Sequence, residues 1–125
     1  MSELEEQIED AFDSAVSALL QAGRSLRAIR DKRMYKEEHS SFEKYVHERW
    51  DMQRRRAYQY IDAADVIEDL SEVFEQKELP KSESALRPLA SLTRIQRIAV
   101  WKASLENAKR PGRGTVEQAK KDLIG

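Results

Sequence analysis

The feature that most constrains the fold is a run of apolar residues spaced alternately four and three positions apart near the start of the chain. The run comprises Ile8, Phe12, Ala15, Leu19, Ala22, Leu26 and Ile29. This spacing places all seven side chains on one face of a helix, as in a seam shared by two helices. It predicts a helix over residues 1–33. The seam has two interpretations: an interface with a second copy in a homodimer, or a face that folds back and covers the rest of the chain.

The rest of the chain also lacks any convincing strand, because β-branched residues are few and period-two alternation is missing. At 125 residues with 40% hydrophobic content, the chain has enough apolar side chains for one core. We therefore expect a single all-α domain over residues 1–125. Within it we expect a helix-turn-helix at 40–70 and further C-terminal helices over 86–123.

The segment 40–70 predicts two helices joined by a tight turn. Ser40 and Glu43 match the capping box S-x-x-E, which starts a helix. Asp51 lies in the turn, where few residue types other than glycine tolerate the left-handed conformation. In the register of a helix-turn-helix, the positions expected to be buried are Val46, Trp50, Met52, Ala57 and Tyr60.

Charge is distributed in alternating blocks, although the net charge is only −1. Residues 1–23 carry six acids and no base, whereas residues 24–60 carry eleven bases and six acids. Residues 61–86 are acidic again, and residues 87–125 are basic. One basic block coincides with the expected helix-turn-helix, which favours a nucleic-acid partner despite the low net charge. The competing interpretation is an ordinary solvated, charged surface.

The second helix of the expected pair begins with Gln53 and three arginines, at the point that meets base edges in the major groove. Arginine suits guanine and glutamine suits adenine, each through two hydrogen bonds. The candidates for base contact are Gln53, Arg54, Arg55, Tyr58 and Gln59. The candidates for contact with the DNA backbone are Ser40, Ser41, Lys44, Arg56, Arg110 and Arg113. Alternatively, the arginines at 54–56 pair with Glu48, Asp51 or Asp62, and the later basic block complements the acidic N-terminal helix of the same chain or of a neighbour.

Other chemistry has little support. Cysteine is absent, and the two histidines have no acid at metal-ligand spacing, so we expect no metal site. No glycine-rich phosphate loop or catalytic serine arrangement is present, so we expect neither cofactor nor enzymatic activity. The acidic start and the lack of a long apolar run predict a cytoplasmic protein without a membrane segment.

Several short stretches resemble bacterial plasmid- and phage-encoded helix-turn-helix proteins, some of which carry this segment beside a ParB-like partition or nuclease domain. The matching stretches within residues 26–105 are LRAIR (26–30), MYK (34–36), SFEKY (41–45), ERW (48–50), RAYQYIDAA (56–64) and LRPLASL (86–92), followed by Gln96 and Trp101. The resemblance implies binding to duplex DNA in a mobile-element, partition or regulatory setting. Asp51 and Gln53 stand where such proteins usually have glycine and serine.

Together these features predict a nucleoid-associated, sequence-specific binder of double-stranded DNA without catalytic activity. Because a single helix-turn-helix makes few contacts, we expect a homodimer whose two recognition helices lie about 34 Å apart. The alternative is a helical adaptor that binds a protein partner through the N-terminal seam.

Overall fold

The computed structural model describes residues 1–125 and contains helices and turns but no strand, which confirms the all-α prediction. The six α-helices are α1 (Ser2–Asp31), α2 (Phe42–Trp50), α3 (Arg54–Ser71), α4 (Glu83–Leu86), α5 (Arg94–Asn107) and α6 (Arg113–Ile124). Two 3-10 turns, Gln76–Glu78 and Arg87–Leu89, flank α4. None of the helices combines the length and apolar character needed to cross a membrane.

Helix α2 begins one residue later than the capping box predicts. Ser41, in an extended conformation, is the N-cap, and its Oγ accepts a hydrogen bond from the backbone N–H of Lys44 at 3.1 Å. Ser40 is exposed and does not cap the helix. The prediction that Glu43 completes a capping box with Ser40 is also wrong, because its carboxylate faces Arg54 and Tyr58 on α3.

The side chains form two apolar cores that lie along α3. The smaller one joins the first three helices through Leu26, Phe42, Val46, Ala57 and Ile61. The larger one joins the C-terminal half of α3 to α4, α5 and α6, and Trp101, which is 1% exposed, is its largest residue. Helix α3 therefore belongs to both cores, and its first turn is positioned from one side by α1 and α2.

Helix α1 packs closely on α3 because Gly23 leaves room for the α3 backbone. A Cβ atom at position 23 would lie 2.1 Å from the carbonyl oxygen of Tyr60 and 2.6 Å from the Cβ of Ala64. Arg27 then reaches across to Asp65 and Glu68, with 2.6 Å between its Nη1 and Glu68 Oε1. Gly23 and the adjacent ion pairs thus define the crossing point of the two helices.

The apolar seam predicted along α1 is divided by this packing. Leu26 is buried, and Leu19 and Ile29 pack against the cores of the same chain, while Ala22 is half-buried. Ile8 is 51% exposed and Phe12 40% exposed, and Ala15 is also exposed. The second half of the seam therefore folds back on the chain, and a second copy cannot use Leu26, which is already covered.

The ion pairs between α1 and α3 make stability sensitive to acid. Hydrogen bonds from Arg27, and then from Arg24, hold the pKa of Glu68 below its usual value despite an opposing effect of burial. A lowered pKa in the folded state means that this stabilisation is present above the unfolded pKa and is lost as the pH falls through the folded pKa. We expect the free energy of unfolding, measured with urea, to fall between about pH 5 and pH 2 more steeply for the wild type than for Glu68→Gln. Equal pH dependence in the two proteins would contradict the assignment of this acid-sensitive stabilisation to Glu68.

Candidate nucleic-acid interface

The connection between α2 and α3 consists of three residues, of which the first adopts the left-handed conformation. Asp51 has φ 50° and ψ 42°, as the sequence predicts. Its backbone N–H donates to the carbonyl of His47 at 3.0 Å, and that of Met52 donates to the carbonyl of Val46 at 3.1 Å. These hydrogen bonds satisfy carbonyl groups at the end of α2 while the chain changes direction. Gln53, extended and exposed, precedes α3 without a side-chain capping bond.

The first turn of α3 presents its arginines to solvent because Ala57 and Ile61 are the positions that enter the core. Arg54 is 72% exposed and its Nε lies 3.5 Å from Glu43 Oε1. Arg55 is exposed and forms no ion pair. Arg55 therefore has a guanidinium with no acidic partner, and Arg54 has one in a weak, solvated pair.

Tyr58 is less available for base contact than the sequence suggests. Its ring packs edge-on against Phe42, with 5.9 Å between centroids, and the guanidinium carbons of Arg30 and Arg54 lie 5.6 and 5.4 Å from its centroid. Its hydroxyl donates to Glu43 Oε1 at 3.4 Å. The side chain is therefore half-buried and links α1, α2 and α3, which makes a structural contribution independent of any ligand.

On the neighbouring side of α3, Arg56 and Arg87 share one carboxylate. Arg87 donates from Nε to both oxygens of Glu83, at 2.9 and 3.0 Å, and Arg56 Nη1 lies 3.9 Å from Glu83. These hydrogen bonds raise the pKa of Arg87, which therefore stays charged. Arg56 also contacts Gln59 Oε1 at 3.4 Å and Tyr60 Oη at 3.2 Å. The interpretation in which the arginines at 54–56 pair with Glu48, Asp51 or Asp62 is wrong, because their acidic partners are Glu43 and Glu83.

A groove of about 540 Å³ runs along this side of α3. Among the residues that line it are Trp50, Met52, Arg55, Arg56, Gln59 and Arg87. The prediction that Trp50 is buried is wrong: half of the residue is exposed. Its indole N–H donates to Tyr45 Oη at 3.0 Å, and the Arg49 guanidinium lies 4.1 Å from the ring centroid. Tyr45 and Arg49 thus hold the indole at the surface.

The remaining candidates for contact with the DNA backbone fall into two groups. Ser40, Ser41 and Lys44 lie at the start of α2, where the Ser41 hydroxyl already accepts the capping bond. Arg110 instead pairs with Glu9 in the first half of α1, and Arg113 pairs with Glu117 at 2.8 Å.

The pairing of Arg110 separates it from the first turn of α3. Tyr58 lies beside Arg30, and at 1.5 Å per residue Glu9 is about 30 Å from Arg30 along α1. The structure therefore does not bring Arg110 together with the α3 arginines.

Sequence patterns alone do not reveal that Trp50 is exposed or that Arg87 lies beside α3. Arg87 follows Glu83 by four residues, a spacing that predicts their ion pair but not its position against Arg56.

No group of three or more histidine, cysteine, aspartate or glutamate side chains is arranged to hold a metal ion. No family model matches the chain, and comparisons with curated proteins and with solved structures find no match either.

Proposed function

We propose that the protein binds double-stranded DNA through a helix-turn-helix formed by α2, the turn and α3, with α3 as the recognition helix. The observation that carries this proposal is the exposed first turn of α3, where Arg54 and Arg55 project from a helix anchored by Ala57. In a helix-turn-helix this turn enters the major groove.

The chemistry of the exposed side chains is suited to that position. Arg55 has no acidic partner to displace, and its planar guanidinium can donate two hydrogen bonds to guanine O6 and N7. Gln53 is exposed and Gln59 half-buried beside it, and a glutamine amide can pair with adenine N6 and N7. Arg56, in the same turn, and Lys44, in the first turn of α2, are exposed cations whose proposed partners are phosphates.

The proposal is tested by titrating a fluorescently labelled random duplex with the protein over a salt series. We expect the logarithm of the association constant to fall linearly with the logarithm of salt concentration, by about 0.9 for each phosphate neutralised. A chain that ignores the duplex even at low salt contradicts the proposal. If binding is found, selection from a random-sequence pool then tests whether it is sequence-specific and whether the site suits a transcriptional or partition factor.

We further propose that the DNA-bound form is a homodimer, because one recognition helix provides few of the contacts that specific affinity needs. The surface available for it is the exposed half of the seam, Ile8, Phe12 and Ala15, extended by the exposed Leu4 one turn earlier; we call these four residues the open stripe. The stripe lies on the acidic part of α1, where only Glu9 and Asp13 form ion pairs within the chain. Two copies would therefore repel each other until salt screens the carboxylates.

Sedimentation equilibrium of the wild type and of Ile8→Ser/Phe12→Ser at two salt concentrations tests the dimer. We expect wild-type dimerisation to strengthen as salt rises, opposite to DNA binding, and the double variant to remain monomeric. Leu19 and Leu26 are left unchanged because polar groups there would disrupt the cores.

The second candidate function, a helical adaptor, is favoured by the same open stripe with its unpaired acids. It predicts that the wild type is monomeric and shows no salt-dependent affinity for DNA. It also predicts that changing Ile8 and Phe12 abolishes binding of the protein partner.

A further inference from the structure

We propose that the groove beside α3 is a binding site for the sugar-phosphate backbone of one DNA strand, and that Arg87, outside the helix-turn-helix, contributes a phosphate contact. The inference rests on the proposed function and names a contact that the recognition helix alone does not provide. Arg87 reaches this position because α4 and the following 3-10 turn pack on α3, through Leu86 and Leu89 in the larger core.

The way Arg87 is held leaves its terminal nitrogens for a ligand. Glu83 accepts hydrogen bonds from the Nε of Arg87, and no hydrogen bond engages its two Nη groups. The Glu83 side chain is 19% exposed, so it lies behind the two arginines as a positioning residue. A guanidinium oriented through Nε can present both Nη groups to a phosphate.

The charges in the groove favour an anionic chain. Arg55, Arg56 and Arg87 supply three positive charges, and the carboxylates of Glu83 and the groove-lining Asp51 offset two of them. The groove is open to solvent, and its lining extends from the turn after α2 past Arg55 and Arg56 to Arg87, so a strand can pass across it. Phosphates spaced along such a strand meet a row of arginines with a net positive charge.

Trp50 provides the apolar part of the site. Tyr45 occupies its N–H and Arg49 lies over its ring, so the exposed remainder of the indole offers apolar ring atoms to deoxyribose. Because Trp101 is 1% exposed, iodide in solution reaches the indole of Trp50 far more readily than that of Trp101. Protection of tryptophan fluorescence from iodide on DNA binding therefore reports occupation of this groove.

The experiment compares Arg87→Ala with Arg94→Ala in titrations of the labelled random duplex over a salt series. Arg94 is a matched control because it is also exposed and also ion-paired, with Glu72 at the far end of α3, about 27 Å from the first turn. We expect Arg87→Ala to reduce the salt slope by about 1 and to weaken binding to all sequences, while Arg94→Ala behaves as the wild type. Arg87→Lys, which keeps the charge, is expected to retain most of the slope.

The possible outcomes distinguish a failure of the groove as a phosphate site from a failure of DNA binding itself. Suppose that the wild type binds DNA and needs Arg54 and Arg55, but Arg87→Ala keeps the full salt slope and iodide still quenches Trp50 fluorescence in the complex. The groove is then not a phosphate site, while α3 remains the recognition helix. If the wild type does not bind DNA, both proposals fall together. Melting followed by circular dichroism checks that each variant is folded.

Discussion

Arg54→Ala/Arg55→Ala is expected to bind labelled random duplex DNA at least about tenfold more weakly than the wild type, a loss of about 1.4 kcal/mol or more. The two guanidinium groups lie on the exposed first turn of α3, and neither side chain belongs to an apolar core. Their removal is therefore expected to cost the proposed contacts with bases and phosphates while leaving both apolar cores intact. Fluorescence anisotropy over a salt series measures both the affinity and the salt slope.

The matched control for this double variant is Arg94→Ala/Lys102→Ala, which removes two positive charges from α5. Both of these side chains are exposed, and neither lies on the first turn of α3. We expect the control to retain wild-type affinity to within a few-fold. If the two double variants lose affinity equally, net charge rather than the recognition helix is responsible for binding, and the assignment of α3 fails.

Gly23→Val is expected to lower the free energy of unfolding by about 3 kcal/mol, the upper end of the usual cost of overpacking. The new Cβ would lie 2.1 Å from the backbone oxygen of Tyr60, and backbone cannot rotate away as a flexible side chain can. Helix α1 must move off α3, which weakens both cores and the pairing of Arg27 with Glu68. Urea unfolding followed by circular dichroism measures the loss.

Gly23→Ala and Gly114→Ala provide a matched pair that separates helix propensity from packing. Alanine is normally favoured over glycine within a helix by about 1 kcal/mol. Gly114 lies in α6, and a Cβ added there would have nothing within 4 Å, so its replacement should be neutral or stabilising. At Gly23 the same substitution should destabilise. Equal gains at both positions would mean that the close approach of α1 to α3 is wrong.

The agreement between sequence and structure is best where the responsible interactions are local. Helical periodicity predicts α1 over residues 1–33, and the helix spans Ser2–Asp31. Asp51 adopts the left-handed conformation expected of it, and Val46 and Ala57 are fully buried. Each of these features depends on residues within a few positions of one another, which the order of amino acids shows directly.

The candidate interface could be predicted only in part, because some of its contacts join residues that are far apart in the sequence. The exposed arginines at the start of α3 follow from helical register once Ala57 is assigned to the core. The acidic partners Glu43 and Glu83, the half-buried position of Tyr58 and the pairing of Arg110 with Glu9 depend on which helices meet. Trp50 is exposed because Tyr45 and Arg49 hold its indole at the surface, although its register position predicts burial.

The sequence by itself therefore determined the long N-terminal helix, the left-handed turn and the basic first turn of α3, because backbone conformation and helical faces are set by neighbouring residues. The tertiary structure decided which half of the α1 seam is covered, because Gly23 permits a close crossing with α3 that no periodicity encodes. It also decided that Arg87, thirty-three positions after Arg54, lies in the groove beside Arg55 and Arg56. Contacts between distant parts of a chain depend on how the cores pack, and these contacts shape both the groove and the open stripe.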